Sequence, residues 1–248
     1  MIITSEFSDL QTADGGSMRT FVASPKTPGK YPGVLFYSDI FQLQATMLRS
    51  CARLAGYGFV VAAPEIYARV EPPGLVIPFD DPGRTRGLAD AEKTPVAHFD
   101  EDCATVLDYL TNHPGVATGK LGVAGFCIGG HLAFRGALHP GVRATVCFYG
   151  TGIHNGKLGA DADAGSLARA AEIKGELLLV WGSGDPHIPA EGRKRIEETL
   201  QHAGVNFSQR IYDAEHAFIR DEGARYDSEA TDQAFGEMIS FYRKVFGR

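Results

Sequence analysis

A surplus of positive charge is missing from this 248-residue sequence: 24 Lys and Arg against 30 Asp and Glu leave a formal net charge of −6. A nucleic-acid binder needs a basic face, so that class is set aside. Long apolar runs are missing too. The longest, such as 177–181 (LLLVW), fall far short of the roughly 20 residues that span a bilayer. The opening MIITSEFSDL has neither a basic start nor an apolar stretch, so no secretory signal is expected and the location is read as cytoplasmic. Cysteine is sparse, at 51, 103, 127 and 147, with no CxxC pair and no histidines at ligand spacing. That excludes a disulfide framework and argues against a zinc site; no metal or organic cofactor is expected, and three of the four thiols read as buried and reduced. Linkers of low complexity and internal repeats are also lacking, which leaves a single domain over 1–248.

What is present is an alternation of short β-branched apolar runs with longer helical patterns. Candidate strands lie at 33–37 (GVLFY), 59–63 (FVVAA), 120–124 (KLGVA), 144–149 (ATVCFY), 177–181 and 207–212. Several are apolar throughout, as strands of a parallel sheet covered on both faces must be. An alternating run at 19–23 (RTFVA) is expected to start the sheet as an antiparallel edge. Helices are expected near 43–56, 95–112, 129–138, 189–203 and 228–246; the last carries Ala234, Met238, Phe241, Tyr242 and Val245 on one face. Strand–helix alternation of this kind builds a doubly wound α/β sheet, mostly parallel, with helices on both faces.

The stretch 69–94 (RVEPPGLVIPFDDPGRTRGLADAEKT) breaks the rhythm. It is rich in Pro, Gly, Asp and Arg, shows no clear period, and is expected to be a lid or pocket loop.

Chemistry enters at Gly125-Phe126-Cys127-Ile128-Gly129-Gly130, between strand 120–124 and the helix GGHLAFRGAL. A nucleophile on a sharp strand-to-helix turn needs small residues two positions away on either side, and Gly125 and Gly129 supply them. The turn would lift the Cys127 sulfur above the sheet, with the helix N-terminus favouring a thiolate and the Ile128 amide facing a developing oxyanion. In such folds an acid follows a later strand and a histidine comes near the C-terminus. Asp185 follows LLLVW and His216 follows FSQRIYD, so Cys127, His216 and Asp185 have the order of nucleophile, base and orienting acid. Alternatives stand beside this reading: Asp185 as a cap for the helix near Pro189, His187 as the base, and His131 as a packing residue rather than a reactive one.

These residues resemble the dienelactone hydrolase (carboxymethylenebutenolidase) family of α/β-hydrolases. Gly125 to Gly130 look like its G-[YF]-C-x-G-G motif; Gly184-Asp185-Pro186-His187-Ile188-Pro189 and Glu215-His216-Ala217-Phe218 look like its acid and histidine loops; Ala63-Pro64-Glu65-Ile66-Tyr67-Ala68-Arg69 looks like its tyrosine-alanine-arginine turn. The resemblance implies a carboxylate near the nucleophile that helps deprotonate the thiol. That family residue is a glutamate, whereas Asp39 stands here, one methylene shorter. It also implies Ile40 as the second oxyanion amide, and Arg220 and Arg84 as ligands of a substrate carboxylate.

The resulting expectation is a carboxylic ester hydrolase acting on a small, carboxylate-bearing enol lactone through a cysteinyl acyl-enzyme, in aromatic degradation. A thiolate is itself a good leaving group, so activated esters suit it better than amides. An esterase or thioesterase for another small substrate, or a non-catalytic ligand-binding member, remain the alternatives. The expected partner is a small-molecule substrate, with no nucleic acid and no membrane, on a monomer or small homo-oligomer.

Overall fold

The structure is a computed structural model that describes residues 1–247; Arg248, the last residue of the expected domain, lies outside the described residues. Among the described residues eight strands form one sheet, in the order β1-β2-β4-β3-β5-β6-β7-β8. They are β1 Ile3–Gln11, β2 Ser17–Pro25, β3 Tyr31–Tyr37, β4 Val60–Pro64, β5 Val116–Phe126, β6 Val142–Phe148, β7 Glu176–Gly182 and β8 Phe207–Tyr212. From β4 through β8 every pairing is parallel, and only β1–β2 and β2–β4 are antiparallel. The central strands β3 and β4 are buried at every position, which is why their sequences are apolar without alternation.

Helices cover both faces: α1 Ala45–Gly56, α2 Asp81–Lys93, α3 Val96–Asn112, α4 Ile128–Gly136, α5 Ala190–His202 and α6 Ser228–Phe246. An ion pair from Arg53 to Asp232 (2.9 Å) joins α1 to α6, and one from Arg135 to Asp100 (2.5 Å) joins α4 to α3. This is the α/β-hydrolase architecture.

Two expectations are corrected. The 19–23 run is not the sheet edge: β2 lies between β4 and an outer strand, β1, paired in register from Ile3↔Pro25 to Gln11↔Ser17. β1 escaped notice because it is exposed along most of its length and shows no apolar face; Phe7 is its anchor, packed on Phe21 at 5.3 Å and under Arg19 at 3.4 Å. The 69–94 stretch is not aperiodic loop throughout, because α2 occupies its second half. Asp80 caps α2 by accepting from the Gly83 amide (2.7 Å), and Pro82 sits in the first turn. The buried face of α2 is Gly83, Gly87, Asp90 and Ala91, so the helix presents no apolar stripe to a reader of the sequence. Small residues are required there: a Cβ at Gly87 would come within 2.3 Å of the Ile40 carbonyl oxygen.

The first half of the stretch is pinned by charge. Buried Glu65 accepts from Arg19 (3.2 Å) and from the Gly74 amide (3.0 Å). Arg69 reaches Asp14, Glu101 and Asp102 at 2.8 to 3.0 Å.

Candidate active site

β5 delivers Cys127 to the mouth of the sheet. Its backbone is strained, with φ 58° and ψ −120°, a conformation that L-residues rarely adopt. The flanking glycines explain how the turn survives: a Cβ at Gly125 would sit 1.9 Å from the Gly129 carbonyl, and one at Gly129 would sit 2.2 Å from that of Ser38. The Cys127 amide donates to Phe148 O at the end of β6 (3.1 Å), and its carbonyl accepts from Gly130 (2.9 Å) and Thr151 (3.2 Å). Cys127 is partly exposed, whereas Cys51, Cys103 and Cys147 are buried, and burial raises all three thiols, Cys103 to about 12.

His216, on the loop after β8, hydrogen-bonds Asp185 Oδ2 through Nδ1 at 2.6 Å. Asp185 Oδ1 accepts from the His187 amide (2.8 Å), so both carboxylate oxygens are engaged. Nδ1 must carry the proton because the carboxylate only accepts, which leaves Nε2 for the sulfur. Burial alone would lower the His216 pKa; the neighbouring Cys127 sulfur and the Asp185 hydrogen bond overcome that and raise it to about 9. The structure therefore brings Cys127, His216 and Asp185 together in the expected order. Asp185 is not the cap of α5, whose N-cap is Pro189. His187 stacks edge-on against His216 at 4.7 Å and is lowered by burial, then by the charge of His216. His131 is fully buried in α4 and lowered to about 3 by burial, a packing residue as its position suggested.

Asp39 and Arg220 were expected in separate roles, and they form a single pair. Arg220 donates to Asp39 Oδ2 through Nη2 (2.5 Å) and Nε (3.1 Å), while Asp39 Oδ1 accepts from the Phe41 amide (2.9 Å). The guanidinium lies 4.7 Å from the ring centroids of both Phe41 and Phe79. Among the described residues no hydrogen bond joins Asp39 to Cys127. Ile40 and Ile128 both line the cavity at Cys127. Ile128 is the first residue of α4, where a helix has no internal acceptor for its N–H.

The cavity has a volume of about 500 Å³ and is lined by Cys127 and His216, with Leu88 and Ala91 of α2 forming an apolar wall. The 69–94 stretch thus borders the site through α2. Arg84 lines the cavity as expected; so do Arg225 and Lys157, which sequence reasoning missed. Among the described residues none of these three forms an ion pair. Also missed were Tyr149, buried with φ 38° and edge-on to His216 at 5.1 Å, and Thr151. Both follow β6, whose carboxyl end was a usable signal, because ligands gather at the carboxyl ends of parallel strands. Arg225 and Lys157 carry no such mark. Among the described residues no group of three or more His, Cys, Asp or Glu could hold a metal ion, and no helix is long and apolar enough to cross a membrane.

Fold and constellation together define an α/β-hydrolase with Cys127 on its strand-to-helix elbow. The family model of the dienelactone hydrolase family matches residues 18–246. A carboxymethylenebutenolidase homologue of Saccharomyces cerevisiae is 38% identical over 256 residues, covering 99% of this chain and 93% of that protein. The carboxymethylenebutenolidase of Pseudomonas putida is 27% identical over 241 residues, covering 96% and 95%. A Klebsiella pneumoniae structure of dienelactone hydrolase type superposes with a TM-score of 0.87 at 26% identity, covering 98% of this chain and all of that one. The chain belongs to the dienelactone hydrolase family and is a hydrolase of ester bonds.

Proposed function

We propose that the protein hydrolyses a small, anionic enol lactone or similarly activated ester through a cysteinyl acyl-enzyme, with Cys127 as nucleophile. The observation that carries this reading is the strained Cys127 elbow facing a His216 whose other nitrogen is held by Asp185 at 2.6 Å. The neighbouring sulfur and the Asp185 hydrogen bond raise His216 to about 9, a base able to take the Cys127 proton and give the attacking thiolate–imidazolium pair.

The thiolate attacks the lactone carbonyl, and the amides of Ile40 and Ile128 receive the oxyanion. Collapse of the tetrahedral adduct breaks the ring C–O bond, and the departing enolate takes the proton from His216. Neutral His216, oriented by Asp185, then removes a proton from water as the resulting hydroxide attacks the thioester. Expulsion of the sulfur releases the acid and restores the thiolate–imidazolium pair.

Arg84, Arg225 and Lys157 support an anionic substrate, since only Glu92 and Asp161 oppose them on the cavity wall. Arg220 has Nε and Nη2 committed to Asp39. Its Nη1 is the atom assigned here to a substrate carboxylate, with Asp39 holding the guanidinium in place. The segment 69–94 serves as pocket wall through α2.

The test is a panel of anionic enol lactones, their neutral esters and simple aryl esters, run beside iodoacetamide labelling of Cys127. Wild-type enzyme should prefer the anionic lactones, and Cys127→Ala should lose turnover while remaining folded. Equal rates across the panel would remove the anionic-lactone assignment, and undiminished hydrolysis by Cys127→Ala would remove the nucleophile.

A further inference from the structure

Asp39, the carboxylate that the resemblance places beside the thiol, is committed to Arg220 and to the Phe41 amide. A hydroxyl stands within reach of the sulfur instead: Thr151 Oγ1 lies 4.0 Å from Cys127 Sγ, at the long end of hydrogen-bond range for sulfur. We propose that Thr151 is a further catalytic residue, whose hydroxyl donates a hydrogen bond to the Cys127 thiolate and so helps to keep the nucleophile ionised. This rests on the reading of Cys127 as nucleophile.

With a neutral thiol either atom can donate. Once the sulfur is ionised it can only accept, so the hydroxyl must point its proton at it. A hydrogen bond to an ionised acceptor is about twice as strong as one between neutral groups, so the contact stabilises the charged form more than the neutral one.

Thr151 is also held in place. Its amide donates to Cys127 O (3.2 Å), which ties the loop after β6 directly to the elbow. Its carbonyl is 2.9 Å from His131 Nδ1. A carbonyl only accepts, so Nδ1 carries the His131 proton, and Nε2 accepts from Ser166 Oγ at 2.8 Å. Ser166 Oγ accepts in turn from Arg135 Nη1 at 3.0 Å, and Arg135 is paired with Asp100. Every donor in this buried chain has an acceptor, and His131, lowered to about 3 by burial, stays neutral across the working range. The chain runs from α3 through α4 to the loop and ends one residue's backbone from the sulfur. Such satisfied buried networks fix a unique geometry. The function of a buried neutral histidine four residues past the nucleophile is thereby accounted for: it holds Thr151.

The other groups that face the sulfur are His216, the phenols of Tyr67 and Tyr149, and the Asp39–Arg220 pair. None is altered by changing Thr151, so the comparison isolates the hydroxyl.

The experiment is the rate of iodoacetamide alkylation of Cys127 against pH, followed by mass spectrometry, in wild type, Thr151→Val and Thr151→Ser. Thr151→Val is close to isosteric; Thr151→Ala gives the same comparison if the valine does not fold. Removal of the hydroxyl is expected to move the half-maximal alkylation upward by about one pH unit, a tenfold loss of thiolate, with Thr151→Ser returning it toward wild type. In turnover of an activated ester, kcat/KM should fall about tenfold below that midpoint and recover above it. Coincident alkylation curves for wild type and Thr151→Val overturn the inference while leaving the Cys127 nucleophile intact. Absence of Cys127 labelling in wild type overturns both.

Discussion

At the scale of single residues, the site depends on a few atoms whose protonation is set by their neighbours. His216 has a folded-state pKa of about 9 against an ordinary 6.5, so the fold binds its proton more tightly than the unfolded chain does. That stabilisation is complete below about pH 6.5 and is lost as pH rises through about 9. Thermal melts of wild type should therefore fall between about pH 6.5 and pH 9, and Cys127→Ala, which removes the sulfur beside His216, should show a shallower fall. A flat wild-type profile over that range would contradict the pairing. Asp185 holds His216 Nδ1 at 2.6 Å, so Asp185→Asn, which presents an amide that can donate where only an acceptor fits, should cut kcat by about 10²-fold or more with little change in alkylation at high pH.

Among the elements, α2 is the one that couples an unusual sequence to the chemistry. Its Gly87 lies against the Ile40 carbonyl, its Gly87 carbonyl accepts from Tyr67 Oη at 2.9 Å, and its Leu88 and Ala91 line the cavity. A methyl group at position 87 would have to push α2 away from the turn that carries the Ile40 amide. Gly87→Ala should cost about 2 kcal/mol of stability in urea unfolding and lower kcat more than it raises KM, because the proposed oxyanion donor moves with the turn. Asp80→Ala should cost about 1 kcal/mol through the lost cap without touching Cys127, and so separates helix stability from the Ile40 contact.

Taken as a whole molecule, the protein is acidic, with a net charge of −6, yet its cavity carries Arg84, Arg225 and Lys157 without carboxylate partners among the described residues. For the anionic substrate proposed above, the cavity cations act against the repulsion of the whole chain, and salt screens both fields over a Debye length of about 8 Å at physiological strength. Raising NaCl from about 20 mM to about 500 mM is expected to lower kcat/KM for an anionic ester several-fold and to leave its neutral methyl ester nearly unchanged. Arg84→Ala and Arg225→Ala should each flatten that salt dependence; an equal response of both esters in wild type would show that the cavity charges do not act on the substrate.

Most of the architecture was legible in the sequence because it rests on local and periodic signals. Buried parallel strands such as β3 and β4 must be apolar throughout, and α6 shows its stripe directly. The meeting of Cys127, Asp185 and His216 was legible as well, since the elbow needs glycines at fixed offsets and the other two follow particular strands. Where packing rather than periodicity decides, the sequence fell silent. β1 is held by its ladder to β2 and has no buried face of its own, and α2 buries glycines where a reader looks for leucines. Pairings across the chain were invisible for a similar reason: Asp39 and Arg220 are 181 residues apart, and nothing local to either says that their charges meet. The cysteine at 127 and its two partners were thus determined by sequence alone. Its other neighbours, Thr151 held by buried His131 and the closed Asp39–Arg220 pair, were decided only when the fold brought distant loops to the ends of β3, β6 and β8.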